Sequence, residues 1–341
     1  MNQLYDVVII GGGPCGLATG LALQKKGLSY VILEKGAIVN SIVNCPLHMT
    51  FYSTSDRLEI GKIPFVSQDV RPNRTELLKY YRLVTERQEL HIKCYQKVNK
   101  VIKNGESFTV HAEDRHGNQL PYEAQMIVLA TGIFDTPRQL GIAGDDLPKV
   151  SHYYQEGHLY YGQHVTVVGG KNSAVEAAID LYRNGAHVTL VHRGETVLEG
   201  IKPSLLLDMR NLLKKGHIAF YPYSSVATID ETTIQIHSPE GTVLIENDYV
   251  FSLIGYQPDL SMLEQLGIET DPATLVPSFH PETYESNVKN VFLSGVVTGG
   301  ITNRVYIEDG RFHGLKIAEE IAQRLSVVQN QSRLGVIASR F

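Results

Sequence analysis

The stretch Asp6-Val7-Val8-Ile9-Ile10-Gly11-Gly12-Gly13-Pro14-Cys15-Gly16 narrows the available folds more than any other part of the chain. Four apolar, β-branched residues make a buried strand. Glycines at 11, 13 and 16 make a turn, and Leu17 to Lys26, rich in Ala and Leu, reads as a helix. In a strand–GxGxxG–helix unit the first glycine makes the tight turn. The second lets a pyrophosphate approach the backbone, and the third lets helix and strand pack closely. The helix N-terminus adds free N–H groups and a partial positive charge for the phosphates. A second strand, Ser29 to Leu33, ends in Glu34. An acid about 20 residues past the turn is placed to hydrogen-bond a ribose hydroxyl. A glycine turn in an ordinary α/β protein is the alternative, and the second strand with its terminal acid counts against it.

The 341 residues suffice for two domains. With 43% hydrophobic and 20% charged residues the chain reads as globular and soluble. A net charge of −5 argues against nucleic acid or an anionic membrane as partner. Three widely spaced cysteines, Cys15, Cys45 and Cys94, make neither a disulfide framework nor a zinc or other metal site. They fit a reducing, cytoplasmic setting. The N-terminus has no basic region, and glycines and Pro14 break the apolar run after it, which excludes a signal peptide or membrane span there.

Residues 37–75 carry Pro46, Pro64 and Pro72 and read as loop-rich with short strands. Arg74 to Arg87 has a helical apolar period. His91 to Lys103 and Ser107 to Glu113 read as strands joined by Asn104-Gly105. Gln125 to Ala130 is another buried strand, ending at Ala130-Thr131-Gly132. The architecture then repeats. Val165 to Val168 is a strand, Gly169-Gly170-Lys171-Asn172-Ser173-Ala174 a second turn, Val175 to Arg183 a helix and His187 to Val191 a second β2. Asp248 to Gly255 echoes the strand ending at Gly132, and Val291 to Leu293 gives one more strand. Gly310 to Arg324 reads as a final helix, and the last fifteen or so residues carry no clear signal.

The two sites differ after their second strands. Glu34-Lys35 suits a free ribose diol and repels a 2′-phosphate, so the first site fits FAD or NAD. The second has His192-Arg193 and no acid. A guanidinium there accommodates the 2′-phosphate of NADPH, unless Arg193 is a solvated surface arginine. Lys171 stands where a middle glycine is usual, adding charge but also bulk near the pyrophosphate. A chain with one FAD and one NADPH site most economically moves hydride from nicotinamide to flavin.

The layout resembles the flavoprotein disulfide reductases of thioredoxin-reductase type. Closer still, the chain is similar to the bacillithiol disulfide reductases. The pieces that carry this are GGGPCG at 11–16, SxxDxLxIG at 53–61, GGKNSA at 169–174, IKP at 201–203, DYVFSLIGYQPD at 248–259, ETYESN at 282–287 and YIEDGRFHG at 306–314. The resemblance implies an α/β fold of two Rossmann-like three-layer nucleotide-binding domains, the NADPH domain inserted into the FAD domain. We expect an FAD domain over 1–140 and 277–341, and an NADPH domain over 141–276. The implied activity is NADPH-dependent reduction of a small-molecule disulfide, bacillithiol disulfide, through FAD, in a homo-oligomer. Cys15 would be the redox residue. Gly310 and Arg311, at the start of the last helix, resemble the segment facing the flavin pyrimidine edge. Two features depart from thioredoxin reductase: no CxxC occurs, and the usual flavin-binding Gly-Asp is replaced by Gly295-Val296.

A thiol in the first turn of a helix is favoured as thiolate by the dipole, while an adjacent pyrophosphate opposes this. Cys15 is therefore either a nucleophile toward the disulfide or a small filler beside a flavin that reduces it directly. Cys45 falls in the irregular segment after the second strand, where it is expected to border the flavin, and Cys94 in a strand, where it is expected in the core. Rival readings are a flavin monooxygenase, which also pairs an FAD turn with Asn172-Ser173-Ala174, and a ferredoxin-type NADP reductase, whose basic docking patch the net charge disfavours. A redox sensor without turnover is the non-enzymatic alternative.

Overall fold

The computed structural model describes residues 3–302 and 304–338. The chain divides into two compact units. The outer unit takes the residues up to Val43, Ser53–Thr136 and those from Gln257 on; the inner unit takes Asn44–Tyr52 and Pro137–Tyr256.

In the outer unit β1 (Leu4–Ile10) runs into α1 (Pro14–Lys25) and β2 (Tyr30–Glu34). Two one-turn helices, α2 (Asn40–Val43) and α3 (Ser55–Leu58), stand where short strands were expected. The prolines and polar residues there deny the alternation a strand needs. Helix α4 (Arg74–Arg87) has the expected bounds. A capping box starts it: Asn73 Oδ1 accepts from the Glu76 N–H at 3.0 Å, and Glu76 Oε2 from the Asn73 N–H at 2.8 Å. The strand expected from His91 to Lys103 is two, β3 (Ile92–Cys94) and β4 (Gln96–Asn104), because Tyr95 sits at φ 59°. A non-glycine residue in that left-handed region ends one strand and redirects the next. β5 (Ser107–Asp114) and β6 (Gln119–Leu129) complete this half.

β6 has two jobs along its length. Residues 119–124 pair antiparallel with β5, whereas 123–129 pair parallel with β1. The sheet order is β3-β2-β1-β6-β5-β4. The alternation along β4 and β5 (Val98, Val101, Phe108, Val110, Ala112 buried) gives this meander one apolar face.

The inner unit begins with β7 (Val150–Ser151) and β8 (His164–Val168), then α5 (Asn172–Arg183), β9 (His187–Val191), α6 (Pro203–Lys214) and β10 (Ala219–Tyr221). β11 (Ser225–Ile229), β12 (Thr233–Ser238) and β13 (Gly241–Glu246) form an antiparallel meander before β14 (Tyr249–Ser252). The main sheet is parallel, ordered β10-β9-β8-β14-β7. Its strands are near-continuous apolar runs, as a sheet covered on both faces requires. Residues 44–52 join this unit through the Leu47 N–H, which donates to Gln155 O at 3.1 Å.

The outer unit resumes with α7 (Leu260–Gln265), β15 (Val291–Leu293), α8 (Ile307–Gly310) and α9 (His313–Ala338). Residues 257–276 were expected with the NADPH domain. Here Met262, Leu263 and Ile268 share the core of β4 to β6, and Gln265 Oε1 accepts from the Val101 N–H at 2.9 Å. The final helix expected from Gly310 is two helices, with Arg311 at their joint. β15 pairs parallel with the end of β6, and its Phe292 is fully buried. Phe292→Ala should cost about 3–5 kcal/mol, read as a lower urea midpoint for the transition that reports the outer unit.

Candidate functional site

The first glycine turn is over-determined by close approaches. Gly11 has φ 111°, and a side-chain carbon on it would stand 2.4 Å from Ala130 O. One on Gly16 would stand 2.0 Å from Gly11 O. Only glycine satisfies either position. Around Gly13, by contrast, nothing among the described residues lies within 4 Å of such a carbon. The backbone is thus open at the glycine past which a pyrophosphate must come. Gly13 caps α1 without a side-chain bond and Pro14 takes the first helical position. The first N–H groups of such a helix have no partner within it and face a ligand.

Glu34 ends β2 with its carboxylate buried. Oε2 accepts from the Gly12 N–H at 2.7 Å and Oε1 from the Gly36 N–H at 2.8 Å. Burial holds the carboxyl above its ordinary range, with the two N–H groups opposing. Each oxygen keeps a further lone pair for a ribose hydroxyl. Lys35 turns away to Asp135 at 3.1 Å. Ala130 is buried and Thr131 and Gly132 are half-buried at the carboxyl end of β6, beside the turn. This cradle fits the diphosphate and diol of FAD.

Cys15 lies in the first turn of α1, enclosed. A side-chain carbon on Gly295 would stand 2.8 Å from its Sγ, and one on Gly310 also 2.8 Å. Burial pushes the thiol up to about 12; the Val296 N–H lowers it by a smaller amount, and Asp309 adds to the rise. Gly295-Val296, in place of Gly-Asp, therefore presents its backbone to this sulfur. The Gly295 N–H donates to His313 Nδ1 at 3.1 Å. His313 is buried, and its ring stacks on Tyr284 at 4.0 Å. Burial depresses the imidazole from 6.5 to about 4, so it is neutral at physiological pH.

Arg311, expected beside the flavin, is anchored through one of its nitrogens. Its Nη1 donates to Asp56 O at 2.8 Å and Glu59 O at 2.6 Å, closing α3 onto the α8–α9 joint. Ser53 Oγ donates to Glu308 at 2.9 Å in the same contact. The motifs at 53–61 and 306–314 are therefore two sides of one interface.

In the second turn Gly169 has φ 148°, and a side-chain carbon there would meet Leu253 O at 2.6 Å. Gly170 is held to glycine by the His192 ring, 2.2 Å from where its side chain would begin. Lys171, extended and exposed, caps α5, and Ala174 packs beneath Gly169. Ser173 is exposed in the first turn. Asn172 Oδ1 accepts from the Lys202 N–H at 2.7 Å. Lys202 Nζ reaches Glu176 at 3.3 Å, which explains the IKP motif as the tie between α5 and α6. Burial, with Arg193 and Lys171, depresses the His192 imidazole. Arg193 is exposed. The set Lys171, His192, Arg193 offers cationic and hydrogen-bonding groups to a phosphorylated ribose.

Cys45 is half-buried in the segment that joins the inner unit, and Cys94 is half-buried at the end of β3 rather than in the core. His313, Tyr284 and Lys202 escaped a reading by chemistry. Their only signal was membership of the quoted motifs, since no spacing rule marks a histidine that accepts from a backbone N–H.

Two glycine-turn units in one chain, the first closed by an acid and the second by His-Arg, define a flavoprotein that draws on a nicotinamide nucleotide. The chain belongs to the pyridine nucleotide-disulphide oxidoreductase family, whose model matches residues 8–295. It is an FAD- and NADPH-dependent disulfide reductase. It is 42% identical to bacilliredoxin reductase Bdr of Bacillus subtilis over 93% of this chain and 97% of that one. The bacillithiol disulfide reductase Bdr from Bacillus cereus superposes with a TM-score of 0.92 at 42% identity, covering 94% of this chain and 100% of that one. The Staphylococcus aureus enzyme of the same name gives 0.90 at 38%, covering 94% and 99%.

Two outcomes follow from this geometry. Gly16→Ala should yield protein without yellow colour, because its new carbon displaces the turn that holds the flavin. His313 binds its proton less readily folded than unfolded. Its contribution to stability is therefore full above pH 6.5 and lost as pH falls through about 4. That loss is about 3 kcal/mol, and denaturant titrations of His313→Asn across this window should lack it.

Proposed function

We propose that the chain reduces bacillithiol disulfide to two thiols at the expense of NADPH. What supports the reading most is the 42% identity over 93% of the chain to a protein named bacilliredoxin reductase, joined to an FAD cradle whose backbone is open at Gly13. The setting that suits it is a reducing cytoplasm, and no helix among the described residues is long and apolar enough to cross a membrane.

The residues divide the work. Gly11, Gly13, Pro14 and Gly16 shape the cradle, the α1 N-terminus draws in the diphosphate, and Glu34 accepts from the ribose. Ala130, Thr131 and Gly132 flank this turn, and Gly295, Gly310 and Arg311 fix the opposite wall. Gly169 to Ala174 take the diphosphate of NADPH, and His192 and Arg193 its 2′-phosphate. Bound FAD supplies the two-electron link between nicotinamide and disulfide. With no CxxC in the chain, Cys15 is the sulfur available for a covalent route: its thiolate opens the disulfide, releasing one thiol, and two electrons from NADPH then free the second. The elevation of Cys15 to about 12 favours the other route, in which the disulfide is reduced without it.

NADPH oxidation should proceed with bacillithiol disulfide faster than with glutathione or coenzyme A disulfide; equal rates would refute the substrate. Cys15→Ala separates the routes, since full turnover leaves only the direct one. Arg193→Ala should raise the KM for NADPH by about 10-fold or more, as loss of a charge-assisted hydrogen bond does, with little change for NADH.

A further inference from the structure

Three features converge on one sulfur and are unused by the reaction as described. His313 is 6% exposed and its Nδ1 accepts the Gly295 N–H at 3.1 Å. With Nδ1 as acceptor, the proton of the neutral ring is on Nε2. Tyr284, from the ETYESN motif, stacks on that ring at 4.0 Å, and Phe279 stacks on Tyr284 at 5.6 Å. Lys316 caps the Tyr284 ring at 5.7 Å and pairs with Glu282 at 3.0 Å. The imidazole is therefore fixed from behind by packing and in front by one hydrogen bond. The peptide that it holds continues into Val296, whose N–H meets Cys15 Sγ.

We propose that His313 is a positioning residue for Cys15: its Nδ1 holds the Ser294–Gly295 peptide, and through the Gly295 backbone keeps the next peptide, with the Val296 N–H, over the sulfur, and so governs whether that thiol can react. The inference holds whichever route the disulfide takes, because it concerns access to the thiol. Without the acceptor, a buried Gly295 N–H loses its partner, and a buried unpaired donor is costly enough to turn the peptide toward water. Turning it has two opposing effects on the sulfur. Exposure favours the thiolate; losing the Val296 N–H disfavours it. Burial is the larger of the two causes acting on Cys15, so exposure wins and the thiol becomes more reactive.

The test is alkylation by iodoacetamide, followed by peptide mass spectrometry on the FAD-loaded enzyme. Cys94, on β3 of the same unit, is the internal reference. His313→Phe keeps a ring against Tyr284 but removes the acceptor. It should raise Cys15 labelling by about 10-fold or more relative to Cys94, the factor expected when a hydrogen bond worth roughly 1.4 kcal/mol is lost. His313→Asn restores an acceptor oxygen near the Nδ1 position and should return labelling to the unaltered rate. Tyr284→Leu, which frees the ring while leaving the acceptor, should raise labelling in the same direction and carries the test if the phenylalanine variant does not fold. Labelling of Cys15 unchanged in His313→Phe would overturn the proposal. So would a parallel rise at Cys94, or an asparagine variant no better than phenylalanine, since either marks general loosening. Disulfide turnover by Cys15→Ala reads the covalent route separately.

Discussion

The contact between Gly11 and Gly16 is the constraint on which the outer unit rests. The carbonyl of Gly11, the first turn residue after β1, occupies the space where any side chain on Gly16 would begin. This lets α1 start immediately after β1 and lie close against the sheet. Three consequences follow from that one approach. The helix N-terminus points at the open face beside Gly13, the Glu34 carboxylate can reach the Gly12 N–H, and Cys15 is carried under the returning chain at Gly295 and Gly310. The inner unit keeps a different approach, Leu253 O against Gly169 where the outer has Ala130 O against Gly11, and has Ala174 where the outer has Gly16. There the His192 ring, rather than backbone, keeps Gly170 bare.

Charge distinguishes the two cradles more than shape. Glu34 is spent first on backbone N–H groups and only then on a ligand, so it is held in one orientation before any nucleotide arrives. The second site has no such fixed acid. It has an exposed Arg193, an exposed Lys171 and a neutral His192 packed over glycine. A preorganised acceptor suits a cofactor that stays, and exposed cations suit a nucleotide that comes and goes each turnover.

Much of this was legible in the chain. The apolar run at 7–10, the turns at 11–16 and 169–174 and the acid at Glu34 are local features whose geometry follows from residue type. So does α4, read from the 3–4 spacing of Leu77, Leu78, Tyr81 and Val84. What stayed hidden depended on residues far apart. The break at Tyr95 needed knowledge of a positive φ that no tyrosine advertises. Residues 257–276 went to the wrong side because the apolar face of α7 does not say which core it fills. The motif that holds Arg311 did not tell that its Nη1 would be shared between two carbonyls at α3. The reactivity of Cys15 was open from position alone, since a helix dipole acts one way and an adjacent pyrophosphate the other. Only the enclosure by Gly295 and Gly310 decides that burial dominates.

The double use of β6 has a consequence for how the chain is made. Its first half finds β5 a few residues upstream, but its last three residues, Ile127 to Leu129, pair with Val291 to Leu293. The partner strand leaves the ribosome only after the whole inner unit has been synthesised. Until then one flank of the nascent parallel sheet is an unsatisfied, strongly apolar edge. Distant pairing of this kind closes slowly. The newborn polypeptide thus carries an apolar border for as long as the inserted segment is being translated.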